Sequence, residues 1–428
     1  MAELDDEQAR ATAEMVARRS YGKLVAFLAA RTRNVAAAED ALSEAFAAAL
    51  ADWPANGIPA SPEAWLMTAA RRRTIDAARR QRSHDEAASD LKTMAEELQA
   101  LEAIAGEKLV PDDRLALMFV CAHPAIDPVV RAPLILQTIL GFDAATIASA
   151  FLVAPSAMGQ RLVRAKTKIK QAGIPFRVPE RDELGERLGS VLEAIYAAFA
   201  EGWSDPVGTE IRRRNLAEEG IWLGRLVASL LPEEPEALGL LALMLFAEAR
   251  RGARRTASGD YVPLADQDTT LWDVPLIDEA ETLLFRASTK RTIGRYQLEA
   301  AIQSAHVVRR VTGRSDWAAI ARLYDALSAI TGSPVVAINR AVAVAELSGS
   351  AAGLAALDAL ASDARLAEYQ PYWAARADLL AQSGLADEAD RAYERAIGLE
   401  SDPAVRRFLQ NRRADLCLLA LLGRAGRR

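Results

Sequence analysis

The chain has 428 residues, of which 51% are apolar and 26% charged, and its formal net charge is −6. At roughly 100–200 residues per domain this length holds two or three domains with real cores, and the balance excludes a mostly disordered chain. Aromatic residues make up only 6%, alanine recurs at helix-like spacings, and alternating Val/Ile/Thr runs are scarce, so an all-α fold class is expected.

The start, MAELDDEQAR, is acidic and polar and does not read as a secretory leader. The longest apolar runs, such as Leu238–Ala247, fall short of the ~20 residues a membrane helix needs. Two cysteines (Cys121, Cys417) and three histidines (His84, His123, His306) support neither a disulfide framework nor a four-ligand zinc site. A cytoplasmic protein without cofactor, metal or membrane partner is expected.

In chain order, the first helical region is expected from about Asp6 to Ala51. Its second half, Val35–Leu50, sets Leu42, Ala45, Phe46, Ala49 and Leu50 on one stripe. The stretch DWPANGIPASP (Asp52–Pro62) reads as a loop. Ser61 before Pro62 reads as an N-cap followed by proline at the first helical position, so a helix is expected from about Pro62 to Arg82. Residues 83–110 are acidic, with Leu91, Met94, Leu98 and Leu101 in a weak helical pattern, and read as a linker with partial helix. Residues 112–140 read as two helices interrupted by HPAIDP (His123–Pro128).

Asp143 then caps a short helix, Ala144–Phe151. Leu152–Pro155 turns the chain, and Ser156 caps a second helix reaching about Gln171. In that helix Met158, Leu162, Ala165 and Ile169 form the apolar row, while Arg161, Arg164 and Lys168 share a polar side. Helix, tight turn and basic second helix form the helix-turn-helix pattern. The proline-punctuated AGIPFRVPE (Ala172–Glu180) suggests a domain boundary. Further helices follow, and from about 300 to 400 a period emerges. Gly313, Gly349 and Gly384 are spaced 36 and 35 apart. With paired helices this is a tetratricopeptide-like pattern, strongest around Trp373, Ala377, Leu380, Gly384, Ala389, Tyr393 and Ala396.

Charge is segregated within the N-terminal half. Residues 1–178 carry 22 basic and 22 acidic side chains, so the whole net charge of −6 belongs to the remainder. Arg71–Arg82 holds six arginines and one acid, Asp76, and Arg161–Arg177 holds six basic residues and no acid. Between them Asp85–Asp113 holds nine acids and two lysines. Two basic blocks on an acidic tether suggest two docking sites for a polyanion.

The stretches AAAEDALSEAFAAALADWP (Ala36–Pro54), AWLMTAARRRTIDAARRQR (Ala64–Arg82) and LILQTILGFDAATIASAFLVAPSAMGQRLVRAKTKIKQAGIPFRVP (Leu134–Pro179) together resemble regions 2 and 4 of the extracytoplasmic-function (ECF) sigma factors of bacterial RNA polymerase. EGWSDP, LALMLFAEARRGAR, LADQDTTLWD, RYQLEAAIQSAH, DWAAIARLYDAL and PVVAINRAVAVAE extend the resemblance to a subgroup with a long helical, tetratricopeptide-like extension. The resemblance implies region 2 over residues 1–83, a linker over 84–111, region 4 over 112–178 and a C-terminal regulatory domain over 179–428. It further implies a transcription initiation factor that binds core RNA polymerase and promoter DNA, with a regulatory protein or peptide on the extension.

The resemblance also implies particular contacts. Asp40 and Glu44, at i and i+4 on one helix face, would meet the clamp helices of the β′ subunit; the family commonly has glutamine where this chain has Ser43. Region 2 would recognise and open the minus-ten element with Trp65, Arg71, Arg72, Arg73, Arg79, Arg80 and Arg82. Region 4 would read the minus-thirty-five element in the major groove, with Ser156 opening the recognition helix. Gln160 and Arg161 would lie on bases and Arg164, Lys166 and Lys168 on phosphates. Trp53 and Trp65 also fit a core role. Gly159 is unexpected inside a helix.

Two other classes fit parts of the pattern: a helical-repeat interaction scaffold, and a helix-turn-helix repressor acting without polymerase. No catalytic constellation accompanies either. Asp266, Asp268 and Asp273 read as capping residues of a turn, and Cys121 with His123 lacks the facing geometry of a nucleophile pair.

Overall fold

The computed structural model describes the backbone of residues 2–81, 113–151, 153–174, 179, 183–203 and 211–425. The described residues form nineteen α-helices and no strand, with one isolated antiparallel bridge between Arg255 and Tyr261. The fold is all-α, as expected, and none of the described helices is long and apolar enough to cross a membrane. The chain divides into two compact units, Met1–Ala200 and Glu201–Arg428. The acidic linker over 84–111 and Arg82 lie outside the described residues.

In the first unit α1 (Ala2–Thr32), α2 (Val35–Asn56) and α3 (Pro62–Gln81) pack against one another. The single stretch expected from Asp6 to Ala51 is thus two helices. They part at Arg33, which adopts φ 49°, and Asn34, whose side chain accepts from the Ala37 amide at 3.1 Å. Asparagine is a strong N-cap. Helix α2 also runs past the expected loop, through Trp53 and Pro54. It closes at Gly57 (φ 85°), whose amide donates to the Trp53 carbonyl at 2.9 Å. Pro54 sits in the last turn, where its missing donor removes one terminal bond, and burial of Trp53 at 1% exposure holds the turn in place.

Helices α4 (Asp113–Cys121) and α5 (Pro128–Leu140) flank the expected HPAIDP break. Arg131, buried, holds that loop by donating to the carbonyls of Ile126 at 2.9 Å and Pro124 at 3.2 Å. Gly141 (φ 67°) ends α5. Asp143 then caps α6 (Ala144–Ala150), accepting from the amides of Ala145 at 2.9 Å and Thr146 at 2.8 Å. Helix α7 (Pro155–Ala172) begins one residue before its expected cap. Pro155 takes the first helical position, where its fixed φ and absent donor cost nothing, so Ala154 occupies the cap position and Ser156 lies inside the helix.

Helix α1 packs against α2, α3, α4 and α5, and all of these helices lie in the first compact unit. The approach of α1 to α5 is close: a Cβ on Gly22 would lie 1.9 Å from the Ile139 carbonyl oxygen. A backbone oxygen cannot swing aside as a side chain can. The last helix to begin in this unit is α8 (Gly185–Trp203).

The second unit is a succession of helices, the first few of which pack on one whose middle is apolar and buried. Helix α9 (Ile211–Leu230) packs against α10 (Pro235–Ala249), which is buried continuously from Ala237 to Phe246, the pattern of a helix covered on every side. Helices α11 (Val274–Ser288) and α12 (Arg295–Val307) cover it. Glu236 of α10 caps α12, accepting from the amides of Tyr296 at 3.0 Å and Gln297 at 3.1 Å. A short α13 (Arg309–Thr312) follows. Then α14 (Trp317–Thr331), α15 (Pro334–Ser348), α16 (Ser350–Asp358), α17 (Gln370–Gln382), α18 (Ala386–Leu399) and α19 (Pro403–Ala425) each pack on the next.

The core of this stack passes along in three clusters. One gathers Leu298, Ile302, Ile320 and Leu327, the next Ile338, Leu357, Tyr372 and Leu379, the last Ala377, Leu380, Tyr393 and Leu409. The periodic glycines adopt positive φ where helices end: Gly313 (72°), Gly349 (94°) and Gly384 (76°).

Gly22→Ala is expected to lower the stability of the first unit by about 2 kcal/mol through overpacking against Ile139. Chemical denaturation followed by helical circular dichroism measures this, and an unchanged midpoint would refute the contact.

Candidate nucleic-acid interface

Helix α7 has two faces set by its own sequence. Met158, Leu162, Ala165 and Ile169 are all buried, as the spacing predicts. On the remaining surface Ser156, Gln160, Arg164 and Lys168 are exposed, and Arg161 is half-buried at the edge. Arg164 lies along the helix, its Nε donating to the Gln160 carbonyl at 3.3 Å. No acidic residue occurs on α7, so its outward surface is cationic.

Lys166 departs from its expected place on phosphate. Its Nζ donates to Glu39 Oε2 of α2 at 2.5 Å, with side-chain exposures of only 15% and 12%. Burial is the main influence on Glu39 and raises its carboxyl above the usual range, with Asp40 adding to the rise and Lys166 opposing it. The phenol of Tyr21 on α1 is likewise raised by burial, then by Glu39 and Asp40. A Cβ on Gly141 would meet the Tyr21 ring at 3.5 Å. Helices α1, α2, α5 and α7 therefore converge around a dehydrated ion pair. Its net effect on Glu39 indicates that dehydration outweighs the attraction Lys166 returns.

On the other flank Asp40 and Glu44 are exposed on α2, one turn apart. Glu44 is bonded to Arg73 of α3, so a residue expected on polymerase and one expected on DNA meet each other. Both side chains are largely exposed, at 60% and 42%, and such a pair contributes at most about 1 kcal/mol. Arg71 places its guanidinium 4.9 Å from the Phe27 ring centroid, and Arg72 is exposed. Arg79 and Arg80 lie on α3, their side chains outside the described residues. Trp65 is half-buried and meets Trp53 edge to face, with ring centroids 5.6 Å apart and planes at 70°. Trp53 is core.

Sequence reasoning missed Glu39. Its partner is 127 residues away, and no local spacing announces a pair across that distance. The one available signal is a second carboxylate beside Asp40 in an alanine-rich stretch.

The other chemistry-bearing residues serve structure. Burial pushes the Cys121 thiol up to about 12, and its sulfur lies 3.5 Å from Thr138 Oγ1. His123 Nδ1 accepts from the Ala125 amide at 3.1 Å. Asp268 accepts from the Thr270 amide at 2.9 Å and hydroxyl at 2.7 Å, and Asp273 from the Leu276 amide at 3.1 Å. Among the described residues no group of three His, Cys, Asp or Glu is placed to hold a metal ion.

Lys166→Met is expected to destabilise the first unit by about 3 kcal/mol, because it strands a buried carboxylate. Glu39→Gln combined with Lys166→Met is expected to recover most of that loss. Denaturation midpoints of the two variants check this, and a double variant no more stable than the single one would contradict it.

Residues 16–84, spanning most of α1 through α3, match the sigma-70 region 2 family. Residues 187–288 match a family of unknown function (DUF6596). An uncharacterized protein of Rhizobium meliloti (strain 1021) is 40% identical over 382 residues, which is 88% of this chain and 89% of that protein. No solved structure matches.

Proposed function

The chain belongs to the same family as the Rhizobium meliloti protein and carries a sigma-70 region 2 domain near its N-terminus, and on that footing we propose that it is an ECF-type sigma subunit. It binds core RNA polymerase in the cytoplasm and directs it to specific promoters. The observation that carries this reading is the region 2 match laid over α1–α3, on which Asp40, Glu44 and Arg72 are exposed. The helix-turn-helix of α6 and α7 supports it, with an apolar row turned inward and a cationic face turned out.

The roles divide by residue. Asp40 and Glu44 dock on the β′ clamp helices, and Arg73 releases Glu44 when they do. Trp65 and the cations Arg71, Arg72, Arg73, Arg79, Arg80 and Arg82 engage the minus-ten strands. Ser156, Gln160 and Arg161 face bases of the minus-thirty-five element, and Arg164 and Lys168 hold its phosphates. The subunit performs no bond chemistry itself. It contributes binding energy and strand separation, and polymerase makes the RNA.

The helices beyond the first unit regulate this activity. Neighbour-on-neighbour stacking from α14 to α19 supports reading these helices as tetratricopeptide-like repeats, which present an extended surface suited to a protein or peptide.

Core polymerase binding tests the reading directly. The full chain is expected to bind core RNA polymerase, and Asp40→Lys with Glu44→Lys to weaken binding tenfold or more without loss of helix. A full chain that does not bind would overturn the proposal. Arg161→Ala is expected to cost ~1–3 kcal/mol of promoter binding and relax preference at one base pair. Lys168→Ala is expected to weaken binding evenly across sequences and lower the salt slope by about one. Titrations of the holoenzyme against a promoter set separate the two effects.

A further inference from the structure

We propose that Val163 is a specificity-determining residue of α7, recognising the 5-methyl group of a thymine in the major groove. The inference rests on α7 being the promoter-recognition helix and goes beyond it by naming the chemical group read.

Val163 is 66% exposed, the one large apolar side chain on α7 so placed. At about 100° per residue the buried row of Met158, Leu162, Ala165 and Ile169 faces one way, and Ser156, Gln160, Val163 and Thr167 form the opposite row. Val163 therefore stands near the middle of the outward face, with Gln160 and Thr167 a turn away on either side. Thr167 turns its hydroxyl back to the Val163 carbonyl at 3.0 Å. Arg161, Arg164 and Lys168 lie along one flank of the row.

Among the described residues nothing covers Val163, so packing does not reward a valine there. A β-branched residue is a poorer helix former than alanine, and its methyls remain in water. The charges around it fit a polyanion and not an apolar protein partner. In the major groove thymine is distinguished by its methyl group, which takes apolar contacts, while the polar residues of a reading helix take the other base edges. Valine suits this task because its χ1 is nearly fixed, so its methyls hold one position. From Ser156 to Val163 the helix rises ~10 Å, about three base-pair steps, so Ser156, Gln160 and Val163 can address neighbouring base pairs in a single pass along the groove.

The test uses the full chain with core RNA polymerase and a promoter selected by that holoenzyme from random-sequence duplexes. Each thymine of the upstream element is replaced in turn by deoxyuridine, which removes only the methyl. The wild-type holoenzyme is expected to lose about fourfold in affinity at one position, the effect of one buried methyl. The Val163→Ala holoenzyme is expected to bind the thymine promoter about that much more weakly and to be indifferent to deoxyuridine there. Circular dichroism checks that α7 remains helical, which alanine favours.

If Val163→Ala retains the wild-type response to deoxyuridine, or if no position shows the loss, the assignment fails while promoter recognition by α7 stands. If Val163→Ala instead weakens binding to core polymerase, the residue serves a protein contact and the assignment fails. If no promoter can be selected at all, the sigma reading and this inference fall together.

Discussion

The buried pair between Glu39 and Lys166 is the constraint on which the first unit depends. It joins α2, the helix whose outer face carries Asp40 and Glu44, to the flank of α7. The pair leaves the outward row of α7 in solvent while its inward row fills the core. The close passage of Gly22 beneath Ile139 and the seat of Tyr21 under Gly141 make the same junction from α1 and α5. A pair dehydrated to this degree is a poor source of stability compared with apolar packing, but it tolerates few alternative registers. Its presence beside backbone contacts with no slack explains why helices separated by a long acidic stretch of sequence share one compact unit.

The sequence was most legible where the signals are local. The buried row of α7 was readable from its period, the Asp143 cap from its residue type, and the break at His123–Pro128 from its prolines. The three spaced glycines marked helix ends, and the structure holds all three at positive φ because each closes a turn that a Cβ would strain. Legibility failed where one local rule met another. Asn34 divides α1 from α2, but alanines on both sides concealed the cap. Pro54 looked like a helix stop, yet burial of Trp53 carries α2 past it. Pro155 displaced Ser156 from the cap position.

Candidate site residues divide the same way. Gln160, Arg164 and Lys168 lie on the exposed face that helical spacing assigns them. Lys166 does not, because its placement is decided by Glu39, 127 residues away, and no window of sequence holds both. Glu44 and Arg73 are another such pair, 29 residues apart on adjacent helices, and each was assigned a partner outside the chain before the structure joined them. Long-range pairing of charges is the information that periodicity and composition do not carry.

From α14 onward the packing of the second unit runs mostly between neighbours, and one distant pair, Arg255 with Asp402 147 residues away, ties in the start of α19. Its apolar clusters hand on from helix to helix, and α17 supplies Leu379 to one cluster and Ala377 and Leu380 to the next. Such a stack is stabilised neighbour by neighbour. The central claim is that this chain directs polymerase to promoters. Transcription by core RNA polymerase from the DNA upstream of the chain's own coding region, with and without the full chain, tests it most directly. The account predicts discrete start sites that appear only with the full chain and vanish with Asp40→Lys and Glu44→Lys. The same start sites in its absence, or none together with no binding to core polymerase, would contradict it.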